Sequence, residues 1–181
     1  NAKAAFEVVD HLVGLGHQRI GVVTGPTGSP LSRDRLRGAV ARAQQSGVHR
    51  DLVIVNGDFT IESGVRAAER LLDQRRPPTA IFCFNDEMAI GLIETAHRRG
   101  VRVPEDLSVA GFDDVRFARY TRPPLTTTSS PGASCSPTAC PSSPAAERWP
   151  TSTPSSTATW TTRSTARRGA PRRSSNRSAP G

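Results

Sequence analysis

Residues 80–112 read AIFCFNDEMAIGLIETAHRRGVRVPEDLSVAGF, and this stretch decides the fold. Ala80 to Phe84 is an apolar run of strand length, Asp86 to Arg99 carries a helical pattern with Gly100 just beyond it, and Leu107 to Phe112 is a second strand. A strand, a helix and a strand in that order form one βαβ unit. Working back toward the N-terminus, the same cycle recurs. Ile61 to Gln74 reads as a helix, Leu52 to Val55 as a strand, and residues 32–45 as a helix with Leu36, Val40 and Ala43 on one face. Ser32 is the expected N-cap of that helix and Gly47 lies past its end. Arg19 to Thr24 is a buried strand closed by Gly25-Pro26-Thr27-Gly28. Residues 3–15 place Ala5, Val8, Val9, Leu12, Val13 and Leu15 at helical spacing before Gly14 and Gly16 mark the stop. Four strands alternating with helices imply right-handed crossovers and a parallel sheet flanked by helices, so residues 1–128 are assigned to the α/β class.

The pattern stops after Thr128. Ser, Thr, Pro, Ala and Arg supply 44 of the last 53 residues, and Trp149 and Trp160 are the sole large apolar side chains among them. Such a segment buries too little apolar surface to offset its ordering entropy, so residues 129–181 are expected to be a disordered, low-complexity basic tail. The charge divides at the same point. The whole chain carries +8, yet residues 1–128 hold 17 basic against 15 acidic side chains. The tail has seven arginines and one acid, Glu147. A nucleic-acid footprint read from total charge would therefore rest on the tail.

Other classes are excluded on composition and spacing. No apolar run reaches about 18 residues, so a membrane span is excluded, and the chain opens on Asn-Ala-Lys without a signal-peptide pattern. Cys83 sits in an apolar strand, and Cys135 and Cys140 in the tail have no second ligand pair for a metal. The absence of a disulfide framework fits a cytoplasmic location. His11, His17, His49 and His97 have no partner acid or thiol in a catalytic pattern, and phosphate-loop, nucleophile-elbow and dinucleotide signatures are absent. An enzyme, a metal and a cofactor are not expected.

Ligands of open parallel sheets bind outside the carboxyl ends of the strands. The polar residues expected there are the Thr24–Ser29 loop running to Arg35, Asn56 and Asp58 with Phe59, Asn85-Asp86, and Asp113-Asp114. Carboxylates and amides for hydroxyls, with an aromatic face for the C–H side of a ring, suit a polyol. Each residue also has a plainer reading. Asn85 or Asp86 caps the following helix, Asp58 closes an Asx turn, Gly111 to Asp114 is a turn, Phe59 is either peripheral core or a stacking platform, and Arg35 is a surface charge.

Six motifs at consistent spacing resemble the effector-binding core of lactose-repressor/galactose-repressor family transcription regulators. They are His11-Leu-Val-Gly-Leu-Gly-His-Gln-Arg-Ile20, Ser32-Arg-Asp-Arg-Leu-Arg-Gly38, Asn56-Gly-Asp-Phe59 with Ser63-Gly64, Phe84-Asn-Asp-Glu-Met-Ala89, Val101 to Asp114, and Pro123-Pro-Leu-Thr-Thr127. The resemblance implies one lobe, mainly the C-terminal one, of a two-lobed type I periplasmic-binding-protein-like fold that binds a sugar or small metabolite. It implies a homodimer in the intact regulator, involving the helix from Asp86 and the Tyr120–Leu125 segment, and operator DNA reached through a helix-turn-helix headpiece that this chain lacks. By the same resemblance Arg35 clamps the ligand, Phe59 stacks on it, Asn85 binds a hydroxyl, Asp113 supplies a carboxylate, and Asp86 caps the helix beside them. A return helix to the first lobe is expected beyond Thr128, where the Ser/Thr/Pro/Arg tract stands instead. Arg outnumbers Lys 23 to 1, as in a GC-rich gene, and reading such codons one base earlier permits an amphipathic helix over residues 145–156. The tail is thus expected to be frameshifted, with a native basic tail as the alternative. Rival readings of the chain are a solute-binding protein of a transporter, a nucleic-acid binder using the tail arginines, and a truncated product without activity.

Overall fold

Side-chain caps and one proline set where the helices begin. The computed structural model describes residues 1–129, which contain α1 (Ala2–Gly14), β1 (Ile20–Thr24), α2 (Pro30–Gln45), β2 (Val53–Asn56), α3 (Ile61–Leu72), β3 (Ala80–Cys83), α4 (Asp86–Arg98) and β4 (Ser108–Ala110) in that order. The expected tail, its frameshift and Cys135 and Cys140 lie outside the described residues. Two short 3-10 turns, Val48–Asp51 and Arg116–Tyr120, were not expected.

Thr60 Oγ1 accepts from the Ser63 N–H at 3.2 Å and caps α3, while Ser29 Oγ accepts from the Ser32 N–H at 3.4 Å and caps α2. The expectation that Ser32 caps α2 is therefore corrected. Pro30 occupies the first helical position, where its missing N–H is no loss, and this moves the cap back to Ser29. The cap of α4 is Asn85, whose Oδ1 accepts from the Met88 N–H at 3.0 Å. Asp86, expected as the cap by resemblance, is instead the first helical residue and is fully buried.

The four strands are parallel in the order β2-β1-β3-β4, with Val22 opposite both Ile54 and Phe82, and Ile81 opposite Val109. Right-handed crossovers then place α2 on one face and α3 and α4 on the other. The packing agrees, because α1 lies on α2 and α3 on α4. Burial on both faces explains why β1, β3 and β4 read as continuous apolar runs; Ile20, Val22, Val23, Ile81 and Phe82 are all fully buried. At the edge, β2 alternates, with Val53 and Val55 half-buried and Ile54 exposed. Beyond β4, Gly111 and Asp113 donate their N–H groups to the carbonyls of Thr126 and Thr128 at 2.8 and 2.7 Å. The segment Leu125–Thr128 thus lies along the outer side of β4 and its following loop.

At the amino ends of the strands His17 ties the entry to β3 to the start of β4. Its Nδ1 is 2.9 Å from Thr79 Oγ1 and its Nε2 3.0 Å from Ser108 Oγ. Burial lowers its pKa below the usual 6.5, with nearby His11 adding to the effect. The unfolded chain therefore takes up the proton first, and this contribution to stability is lost as pH falls below about 6.5. Urea midpoints measured on either side of that value should diverge less in His17→Gln than in the unchanged chain. An equal divergence in both would assign the pH dependence elsewhere. Among the described residues no helix is long and apolar enough to cross a membrane.

Candidate ligand site at the carboxyl edge of the sheet

The crossover from β1 leads outward to β2, and the next returns past β1 to β3, so the connections diverge between β1 and β3. A crevice opens at the carboxyl ends of such a strand pair. Here the Gly25–Ser29 loop follows β1, Phe84-Asn85 follows β3, and the Phe112–Asp114 turn follows β4.

Arg35 reaches into this edge from the second turn of α2 and is 5% exposed. Its guanidinium donates to the Phe84 carbonyl, to Asp113 Oδ1 at 2.8 Å and, through Nε, to Asn1 Oδ1 at 3.2 Å. The cation also sits 3.8 Å from the centroid of the Phe112 ring. Phe112 in turn packs on Phe82, and Phe82 on Phe84, with centroids 6.4 and 5.2 Å apart. An aromatic floor from the sheet core thus supports the cation. Burial pulls the Arg35 pKa down, opposed by Asp113 and Asp86, while burial pushes Asp113 up against the pull of Arg35. Three of the five guanidinium donors are engaged, and the Asp113 side chain is 42% exposed, so each partner retains capacity for a further polar group. The plainer reading of Arg35 as a solvated surface charge is corrected by its burial.

Phe59 and Asn85 form a second pair at this edge. The Asn85 amide donates to the Phe59 carbonyl at 2.7 Å while its oxygen caps α4, so this one side chain links two loops. Phe59 has φ +70°, and its ring lies directly over Gly25, where a Cβ would overlap the ring. Asp113 and Asp114 also have positive φ, +107° and +52°. A non-glycine residue held there costs on the order of 1–3 kcal/mol, and such residues cluster at functional sites. The four residues singled out in the sequence are therefore gathered at one edge, as the pair Arg35–Asp113 and the pair Phe59–Asn85.

Asp58 and Asn56 have other work. Asp58 Oδ1 accepts from the Thr60 N–H at 3.0 Å, closing the expected Asx turn, and Oδ2 meets Arg66 Nη2 at 2.9 Å. The Thr60 and Ser63 hydroxyls above all, then the Thr60 N–H and the Arg66 charge, hold its carboxyl down to about 2. Asn56 Oδ1 accepts from Thr24 Oγ1 at 3.2 Å. Sequence reading missed Phe112 and the Phe84 carbonyl as partners of Arg35. Phe112 looked like an ordinary strand end, although an aromatic beside a turn acid was the available signal.

Residues 9–140 match the family described as periplasmic binding protein-like domain. The chain is 46% identical over 132 residues to the HTH-type transcriptional repressor CytR of Escherichia coli (strain K12), covering 72% of this chain and 39% of that protein. It is 41% identical over 131 residues to catabolite control protein A of Priestia megaterium, covering 71% and 40%. The chain thus spans about two fifths of the length of these curated relatives. Among solved structures, a sugar-binding transcriptional regulator of the LacI family from Escherichia coli, complexed with phosphate, superposes with a TM-score of 0.65 at 39% identity, covering 70% of this chain and 46% of that one. A LacI-family regulatory protein from Chloroflexus aggregans gives 0.65 at 34% identity, with the same coverage. A parallel sheet flanked by helices agrees with these matches, and the chain belongs to the periplasmic-binding-protein-like domain family as an effector-binding core of the lactose-repressor/galactose-repressor type.

Proposed function

We propose that residues 1–128 are the ligand-sensing lobe of a cytoplasmic bacterial transcription regulator, without enzymatic activity, and that the ligand is a sugar or a similarly hydroxylated small metabolite. The observation that carries this reading is the Arg35–Asp113 pair, held over Phe112 at the point where the sheet connections diverge. A fixed cation and a half-exposed carboxylate 2.8 Å apart offer a donor and an acceptor side by side, which matches a pair of adjacent hydroxyls. Phe59 and Asn85 supply the apolar face and the amide. In this reading a second lobe closes over the ligand and shifts the populations of two regulator states, and operator DNA is contacted by a headpiece outside these residues. The aromatic side chains of Phe117 and Tyr120, 75% and 79% exposed, support a homodimer contact beside the Tyr120–Leu125 segment.

One lobe supplies part of the contacts, so the chain should bind at a dissociation constant of about 1 mM or weaker, corresponding to about 4 kcal/mol or less. Amide shifts titrated with aldoses, polyols and nucleosides should move Asn85, Gly111 and Asp113 for one ligand class. Arg35→Ala and Asp113→Asn should each remove that response. Responses unchanged in both variants would overturn the site, and micromolar affinity would overturn the one-lobe account.

A further inference from the structure

Asp86 is a fully buried carboxylate that the site as described does not use. Its Oδ2 accepts from the Val115 N–H at 2.9 Å and its Oδ1 from the Thr127 hydroxyl at 2.6 Å. Gly111 makes room for it, because a Cβ there would overlap Asp86 Oδ1. The Thr127 oxygen also accepts from the Asp114 N–H at 3.2 Å, so it relays between Asp86 and the turn that carries Asp113. One carboxylate therefore joins three segments far apart in sequence: the start of α4, the turn after β4, and Leu125–Thr128.

We propose that Asp86 is a positioning residue whose buried carboxylate ties the turn carrying Asp113 and Asp114 to the segment Leu125–Thr128, so that the shape of the ligand site depends on how that segment lies against the sheet. The Asp113 N–H reports the same coupling, since it donates to the carbonyl of Thr128, the residue after the relay. An ionised carboxylate accepts from both donors at once, whereas a protonated one must donate, which forces the Thr127 hydroxyl to turn round. The charged groups facing Asp86 are Asp113 and Asp114 from the turn and Arg35 from α2, with the Cys83 thiol on β3 raised partly by it. Burial, with the two neighbouring acids adding to it, pushes the Asp86 carboxyl up to about 6 against the pull of Thr127 and Val115. The folded state thus holds this proton more tightly than the unfolded chain, and the contribution of Asp86 to stability falls as pH rises from about 4 to about 6.

The test needs no ligand, so its outcome is separate from that of the proposed function. In the full chain, the Val115 and Asp114 amide resonances should shift with a midpoint near 6. Asp86→Asn should abolish that transition, Thr127→Val should raise its midpoint by removing a donor to the carboxylate, and Asp113→Asn should lower it by removing a like charge. In hydrogen exchange, Asp86→Ala should lower the protection of Gly111, Asp113 and Val115 at least tenfold while leaving Val22 unchanged. If Asp86→Ala does not fold, Thr127→Val decides, with the same loss expected at Asp113 and Asp114. Protection unchanged in Thr127→Val, or a Val115 transition that persists in Asp86→Asn, would overturn the proposal.

Discussion

Arg35→Ala should lower the unfolding free energy of the chain by about 2–3 kcal/mol, a shift readable in urea denaturation. Removing the guanidinium strips the Phe84 carbonyl and Asp113 of their donor and takes a cation off the Phe112 ring. Complete loss of a buried pair costs more, but Asp113 is half-exposed and water can replace part of what it loses. Arg35→Lys should recover less than half of the difference. One ammonium at the end of a flexible stem cannot match the planar fork that serves a carbonyl and a carboxylate together. A cost below about 0.5 kcal/mol for Arg35→Ala would mean that the side chain is carried by solvent and not by the fold.

Gly64→Val should be at least as damaging, at about 3 kcal/mol or more, because α3 and α4 touch backbone to backbone. A Cβ at Gly64 would lie 2.7 Å from the Met88 carbonyl carbon and closer still to its oxygen. The contact is reciprocal, since Gly91 of α4 faces the Ile61 carbonyl of α3 in the same way. Backbone cannot swing aside as a side-chain tip can, so the helices must separate, and the start of α4 carries Asn85 and Asp86 with it. Alanine at an open helix position gains up to about 1 kcal/mol over glycine, which is too little to offset that separation. Gly14→Ala is the control. Nothing lies within 4 Å of its added carbon, so thermal melts should show it neutral or slightly stabilised. Equal melting of Gly64→Val and the control would refute the close approach.

The sequence carried the architecture because each strand is an apolar run and each helix a periodic one, and both are local patterns. The caps were less legible. Asn and Asp have the same chemistry at a helix start, so nothing local separates Asn85 from Asp86; the tertiary partners decide, because Thr127 and Val115 engage the Asp86 carboxylate and leave the Met88 N–H to Asn85. Ser29 was readable in principle from Pro30, which marks a first helical turn. The candidate site was legible as residue types at strand ends, with the family resemblance singling out Arg35, Phe59, Asn85 and Asp113. Its internal wiring was not. Asp86 and Thr127 meet across 41 positions, and the positive φ of Phe59 is imposed by packing over Gly25, since phenylalanine has no preference for it.

The strand order has a consequence for how the chain is made. β1 is central, yet one of its neighbours pairs Ile20 with Ala80, sixty positions later. At about 5–20 residues per second of synthesis, that partner leaves the ribosome roughly 3–12 s after β1 does. During that interval Val22 and Val23 have at most the short edge strand β2 beside them, and one flank of the apolar ribbon is unsealed. The nascent chain is then most open to aggregation and to chaperone capture, and the arrival of Phe82 closes the window.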